Sequence, residues 1–315
     1  MAQILDLKQP PRGPYTRIDE LLGLRFGARE LQLTPRNYSR SLLSGSTRTR
    51  FRGRGMEFEE VRYYQAGDDI RSIDWRVTAR TSVPHTKLFR EERERPVIMV
   101  VDQRSSMYFG SRCCFKSVLA AHSAALLGWT ALTNNDRIGA LIFSDTQERD
   151  FRPRRSRNTL LAVLRCLHEF NHSLQSPLPD INQVPLSQRL RDLRRIARPG
   201  SAVIIISDFN DIDQACDEQI YQLSRHGDVT LLHVSDALEQ QLPANLQLSV
   251  SDGMSRRVLD TRNRQLCEHY QQRFDTHQAH LQSLSGQLGL PLLSLRTDSS
   301  PLLQLQSLFG RDRRR

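Results

Sequence analysis

Two aspartates close apolar runs in this chain: Val97-Ile98-Met99-Val100-Val101-Asp102 and Ala202-Val203-Ile204-Ile205-Ile206-Ser207-Asp208. Such runs read as buried strands. In open α/β sheets, ligands bind outside the carboxyl ends of neighbouring strands, where the strand order reverses. If these two strands are neighbours, Asp102 and Asp208 flank one crevice. Gln103, Arg104, Ser105 and Ser106 follow the first aspartate. A hydroxyl at Ser106 beside two carboxylates is a hard-oxygen donor set suited to magnesium or calcium. Arg104 runs against that chemistry. A guanidinium offers only donors and stays protonated: near the two aspartates it would repel a divalent cation and could occupy its electrostatic place, or else the side chain points to solvent and water fills the missing ligand. The plainer alternative is that Asp102 caps its own loop and Ser106 caps the helix that follows.

A densely charged segment leads into the first of these strands: GRGMEFEEVRYYQAGDDIRSIDWRVTARTSVPHTKLFREE, residues 53–92. Asp68, Asp69 and Asp74 alternate with Arg71, Arg76 and Arg80. Interleaving of this kind favours bidentate arginine–carboxylate pairs that fix an otherwise irregular collar, with Ile73 and Trp75 as its apolar anchor. The second reading is a partner surface built on Tyr63, Tyr64 and the acidic cluster, because aromatics and arginines concentrate in interfaces. No histidine or nucleophile stands at a telling spacing nearby, so a catalytic acid pair has little support here.

The elements that must position these residues follow from periodicity. Residues 1–16 carry three prolines and no period and read as a disordered start; Ile18 to Leu31 reads as a helix. Residues 36–55 hold six arginines with Ser, Thr and Gly and read as a basic loop. From residue 96 onward strands alternate with helices. The strands are predicted at 97–102, 137–144, 147–153 (an edge), 201–208, 228–234 and 291–295. The helices are predicted at 112–134, 159–170, 186–197, 212–226, 262–288 and 301–309. A hairpin is predicted around Ser251-Asp252-Gly253. Alternation implies a doubly wound, mostly parallel α/β sheet. The expected organisation is a disordered 1–16, a helix and collar over 17–95, the sheet domain over 96–310 and a basic tail over 311–315.

Composition narrows the class. With 45 basic and 35 acidic residues the 315-residue chain carries +10, and lysine occurs only at positions 8, 87 and 116. Nearly all the positive charge is therefore arginine, which pairs with carboxylates through a planar fork. That suits an acidic partner (protein, nucleic acid or anionic lipid) or many internal Arg–carboxylate pairs. Five cysteines, an odd number with no Cys-x-x-Cys, argue against a disulfide framework and for a reducing compartment. No signal peptide or membrane-spanning run is read, so the expectation is a cytoplasmic protein, with peripheral membrane contact as the further option. Neither a P-loop nor the Gly-x-Ser-x-Gly and His-Glu-x-x-His motifs occur. His269, His277 and His280 on one predicted helix are read as exposed, and Cys113-Cys114 as small buried residues.

Two resemblances add to this. Strand–Asp-x-x-x-Ser–helix followed by RIGALIFS and IIISDFND resembles a von Willebrand factor A domain. That family's fold holds a divalent cation through Asp-x-Ser-x-Ser on a first loop, a threonine on a second and an aspartate on a third. The resemblance implies a metal set of Asp102, Ser106, Thr159 and Asp208 holding Mg²⁺, a degenerate metal-ion-dependent adhesion site because Arg104 replaces the middle serine. The collar, through Gly67-Asp68-Asp69, Arg71, Ile73-Asp74-Trp75-Arg76 and Ala79-Arg80-Thr81, resembles the bacterial domain of unknown function 58 family over roughly residues 20–250. Members of that family pair such a segment with a von Willebrand A-like domain and typically accompany a MoxR-type AAA+ ATPase, and many carry membrane helices near the amino terminus.

The function expected from all this is a non-enzymatic interaction module, adaptor or partner of a MoxR-type ATPase, binding through the crevice at Asp102, Ser106 and Asp208. The rivals are a nucleic-acid-binding protein, through arginine clusters at 36–55 and at Arg152, Arg154, Arg155 and Arg157, and a divalent-metal-dependent hydrolase. No recognised nucleic-acid motif or aromatic interleaving accompanies those clusters.

Overall fold

The computed structural model describes residues 6–33, 56–65, 70–91, 95–173, 184–251 and 256–311. The chain forms two compact units, Met1–Ser41 with Arg95–Arg315, and Leu42–Glu94 between them in sequence. The basic loop at 36–55 lies outside the described residues, as do Asp68 and Asp69 and the side chain of Arg71.

The larger unit is a mixed α/β body around a six-stranded sheet. Its strands are β3 (Pro96–Asp102), β4 (Arg137–Phe143), β5 (Glu148–Arg154), β6 (Ala202–Ser207), β7 (Asp228–Ser235) and β10 (Leu292–Arg296), in the spatial order β10-β7-β6-β3-β4-β5. All neighbouring pairs are parallel except β4–β5. The chain passes from β3 to β4 on one side and returns to β6 on the other, so the order reverses between β3 and β6. Val97 pairs with Ala202 and Val101 with Ile206, which brings Asp102 and Asp208 to one edge as the sequence predicted.

Alternate residues of each central strand enter opposite cores. Val97, Met99 and Val101 join one cluster, and Ile98 and Val100 the other. This is the pattern of a sheet covered by helices on both faces. The helices are α3 (Lys116–Thr133), α4 (Arg157–His172), α5 (Leu186–Leu193), α6 (Gln214–Ser224), the short α7 (Ala237–Gln240), α8 (Arg264–Leu288) and α9 (Pro301–Phe309). A hairpin of β8 (Gln247–Ser251) and β9 (Arg256–Asp260) precedes α8. α3 is buried from Lys116 to Ala131, as its nearly uninterrupted Ala/Leu composition requires. Burial on the side away from the sheet comes from the amino terminus. α1 (Ile18–Gly23) and a 3₁₀ segment over Leu24–Glu30 lie on α3, where Trp129 Nε1 donates to Leu21 O at 3.0 Å. The predicted helix over 18–31 is thus α-helical only to Gly23. Residues 6–16 also depart from the disordered start expected. Gly13 N donates to Cys113 O at 2.8 Å, and Ser300 Oγ to Leu7 O at 2.6 Å.

β5 is one of the two edge strands, opposite β10, and its register is irregular. Pairing with β4 shifts between Ile138 and Ala140, where a Cβ on Gly139 would meet Phe151 O at 2.7 Å and Pro153 at 2.9 Å. A proline in a sheet belongs at such an edge irregularity, since it has no N–H to give a ladder.

The described residues of the smaller unit include regular elements, with one register shift between Phe58 and Glu60. β1 (Met56–Tyr63) and β2 (His85–Glu91) form an antiparallel hairpin, and α2 (Trp75–Thr81) lies between them in sequence. Asp74 caps α2, accepting from Arg76 N and Val77 N at 3.0 and 3.2 Å. Trp75, expected as the anchor, opens that helix with 67% of its surface exposed. The capping geometry places Trp75 at the first helical position, and only Ile73 of the expected pair is partly covered.

Asp136, between α3 and β4, accepts from Arg95 N at 3.2 Å, and burial pushes its carboxyl up to about 6 against the pull of Arg95. A carboxyl raised in the folded state above its unfolded value of about 3.9 contributes stability below about pH 4 that is lost as pH rises through about 6. Asp136→Asn keeps the acceptor and removes the titration. The variant should gain on wild type by about 1 kcal/mol between pH 5 and pH 8, after allowance for solvent screening, in urea denaturation at the two pH values.

Candidate functional site

The β3 and β6 ends carry two buried cation–carboxylate clusters. In the first, Asp102 has no exposed surface and Arg104 has 5%. Arg104 turns back on the strand it leaves. Its Nε donates to both Asp102 oxygens at 3.1 Å, its Nη2 to Oδ2 at 2.7 Å, and its backbone N to Oδ1 at 3.0 Å. The other edge of the guanidinium grips Asp211, with Nη1 to Oδ2 at 2.6 Å and Nη2 to Oδ1 at 2.8 Å. Asp211 Oδ2 also accepts from Leu186 N, the first residue of α5. Ser207 Oγ completes Asp102, donating to Oδ2 at 2.7 Å. The guanidinium lies 5.5 Å from the centre of the Phe143 ring, a cation–π distance.

The second cluster centres on Lys116, the first residue of α3. A cation at a helix amino terminus faces the unfavourable end of the helix dipole, so something else must hold it there. Lys116 Nζ donates to Asp208 Oδ2 at 2.9 Å and to Glu239 Oε1 at 2.6 Å, and the side chain is 2% exposed. Glu239 reaches it from α7, where its other oxygen accepts from Asp236 N at 2.9 Å as half of a capping box. Between Asp208 and Asp211 the chain turns through Phe209, a buried residue with φ of 52°. A left-handed conformation in a non-glycine residue costs about 1–2 kcal/mol. It is held by the buried phenyl ring and by Phe209 N donating to Ser207 Oγ at 2.9 Å, and the turn lets one loop deliver carboxylates to both cations.

The charges follow this geometry. Complete burial pushes the Asp102 carboxyl up, with Arg104 opposing it. Burial also works against the charge of Arg104 and Lys116, but their carboxylate partners outweigh it and both are raised above their ordinary values. Asp208 and Asp211 lie below the usual carboxylate range despite burial, held there by Lys116 and Arg104 respectively.

Of the residues proposed as metal ligands, Asp102 and Asp208 come together. Ser106 lies in the adjacent 3₁₀ turn over Ser105–Met107. Thr159 does not join them. β5 runs antiparallel, with Glu148 opposite Phe143 and Arg154 opposite Ile138, so its end and the start of α4 lie at the amino edge of the sheet. That is five strand residues, about 17 Å, from the level of Asp102. The loop that reaches the first cluster is instead the one after β4, where Asp145 accepts from Ser105 N at 2.8 Å. A divalent cation does not fit these donors as arranged. Asp102 is saturated by Arg104 and Ser207, Asp208 Oδ2 is bound to Lys116, and a guanidinium and an ammonium already stand against the two carboxylates.

Sequence reasoning missed Lys116, Asp211 and Glu239. The signal for Lys116 was its rarity combined with its place at the head of an apolar helix. His277, expected to be exposed, has Nε2 at 3.1 Å from Asp208 O, and its neighbour His233 is buried. Burial, with His277 beside it, pushes His233 down to about 4, so the ring is neutral at pH 7. Burial raises the Cys114 thiol to about 12, in keeping with an inert packing role. Of the collar residues, Tyr63 is exposed and its ring lies 4.8 Å from that of His85, and Arg80 is exposed in the last turn of α2.

A cleft of about 300 Å³ opens beside Lys116, lined by Asp208, Asn210, His233, Glu239, Tyr270, Arg273, Phe274 and His277. A second, of about 410 Å³, shares Arg273 and His277 with it and continues along α8 past Ile212, Gln272 and Thr276.

Removing Arg104 leaves Asp102 uncompensated. Arg104→Ser should therefore lower unfolding stability by about 3–5 kcal/mol in chemical denaturation. In calorimetry the variant should bind Mg²⁺ more tightly than wild type. Identical titrations would sink the idea that the guanidinium blocks a cation site.

Comparison with known proteins places this chain in a family. An uncharacterized protein of Mycobacterium tuberculosis (strain H37Rv) is 29% identical over 299 residues, covering 92% of this chain and 90% of that protein. A Mycobacterium bovis protein, also uncharacterized, matches equally. Among solved structures, the conserved hypothetical protein BatB of Bacteroides thetaiotaomicron aligns with a TM-score of 0.37 at 15% identity, over 67% of this chain and 93% of that one. The manganese-loaded TRAP protein of Plasmodium vivax aligns at 0.27 and 9%, over 45% and 57%. Neither superposition is close enough to carry an argument. The family model described as a protein of unknown function, DUF58, matches residues 60–280, from the β1 strand of the collar through most of α8, and the chain belongs to that family.

Proposed function

We propose that this protein is a non-enzymatic interaction module of von Willebrand factor A type, acting as adaptor or partner of a MoxR-type AAA+ ATPase through the crevice at the ends of β3 and β6. The observation that carries this reading is the pairing of the buried charges. Arg104 joins Asp102 to Asp211, and Lys116 joins Asp208 to Glu239. Groups matched in this way hold loops in one geometry, and here they do so beneath an open cleft, which is the construction of a preformed recognition surface. The ATPase as partner rests on the resemblance of the collar and sheet motifs. Tyr63, Ile70 and Trp75, each about two-thirds exposed on the smaller unit, add the aromatic and aliphatic surface that interfaces favour. No helix among the described residues is long and apolar enough to cross a membrane.

The test is a pull-down with a purified MoxR-type AAA+ ATPase. Wild type should retrieve it. Asn210→Arg, which places a bulky cation at the exposed crevice mouth without touching the buried pairs, should reduce retrieval at least about tenfold, as an interface centre blocked by a misplaced charge would. Equal retrieval by both proteins would move the contact elsewhere, and retrieval by neither would sink the partnership.

A further inference from the structure

Lys116 has two carboxylate partners of different standing. Asp208, 4% exposed, lies behind it at the end of β6, and Asn210 N donates to its other oxygen at 3.2 Å. Glu239 stands on the open side with 27% of its side chain exposed, on a helix only four residues long. The cleft beside Lys116 is bounded by Glu239 itself and by Arg273. Arg273 is exposed, belongs to both adjoining clefts, and has no carboxylate partner among the described residues. A guanidinium so placed lacks the fork-to-fork partner that arginine takes elsewhere in this chain.

We propose that this cleft takes an acidic side chain of a partner polypeptide, held by Arg273 and Lys116 without a metal ion, with Glu239 occupying the place of that carboxylate until it arrives. The proposal deepens the interaction-module reading and rests on it. Two features support an exchange over a simple addition. Lys116 is too enclosed to accept a third carboxylate. Replacing Glu239 by another carboxylate leaves the charge of the cluster unchanged, so the buried ammonium is compensated throughout, avoiding the large cost of stranding it. At about 300 Å³ the first cleft lies at the small end of ligand cavities, suited to one side chain. The second, along α8, continues from it past Ile212 and Thr276 for the adjoining peptide.

The experiment is fluorescence anisotropy of the full-length protein with labelled hexaglutamate, in EDTA and in millimolar MgCl₂, with labelled hexalysine and oligothymidylate as controls. Wild type should bind hexaglutamate saturably and equally in both buffers. Arg273→Ala, a surface change, should weaken binding about tenfold or more. Glu239→Gln, which removes the charge of the incumbent, should strengthen it several-fold. Absence of saturable binding to wild type and Glu239→Gln would overturn the proposal, as would a requirement for Mg²⁺ or equal binding by Arg273→Ala. Tighter, Arg273-dependent binding of oligothymidylate would overturn the carboxylate assignment in favour of phosphate. Loss of hexaglutamate binding with ATPase retrieval intact would refute this inference alone, while the reverse would refute the ATPase partnership alone.

Discussion

Compensation of carboxylates that the sheet forces into its interior governs the architecture around β3 and β6. A strand buried on both faces and ending on aspartate delivers a charge to a place water barely reaches, and an uncompensated charge there costs several kcal/mol. Asp102 and Asp208 arrive at adjacent strand ends for this reason, and the chain answers each with a cation of its own. Arg104 is supplied from the same loop and Lys116 from the head of the central helix. Each cation keeps donors beyond those its first carboxylate takes, and Asp211 and Glu239 accept from them, which draws in the start of α5 and the capping box of α7.

The helix that carries Lys116 is positioned by a different force. α3 is apolar on all sides and must be covered on all sides, by the sheet below and by the amino-terminal segment and α9 above. Burial of that kind is non-directional and fixes where the helix lies without fixing what its end does. The ion pairs supply direction. Hydrophobic packing brings Lys116 within reach of β6, and the Asp208 carboxylate determines where the ammonium comes to rest.

Much of this was legible in the sequence. Unbroken apolar runs at 97–101 and 202–206 announced central parallel strands, and their terminal aspartates marked the reversal point. The suspicion that Arg104 would stand in place of a cation came from its donor-only chemistry and is matched by its grip on Asp102 and Asp211. What escaped were groups far apart in sequence. Lys116, Asp211 and Glu239 lie on a helix start, a strand-exit loop and a short helix, and no periodicity links them. Thr159 was misplaced because residue spacing does not reveal that β5 runs against its neighbours, which carries the start of α4 to the opposite edge. Trp75 was misjudged because size suggested an anchor, whereas the Asp74 cap dictated its position at the front of a helix.

The irregular edge at β5 has a consequence for how such a sheet survives in company. β6, with Ala202-Val203-Ile204-Ile205-Ile206-Ser207, is the kind of uncharged, β-branched six-residue segment that stacks readily with copies of itself. It is kept in the middle, paired on both sides. Of the two rim strands, β5 is studded with charge and interrupted by Pro153 where its register shifts. A passing chain that tries to extend the ladder there meets a missing donor, a kinked backbone and a row of guanidinium groups. The fold thereby places its most adhesive sequence out of reach and, at the β5 edge, leaves a strand that resists extension.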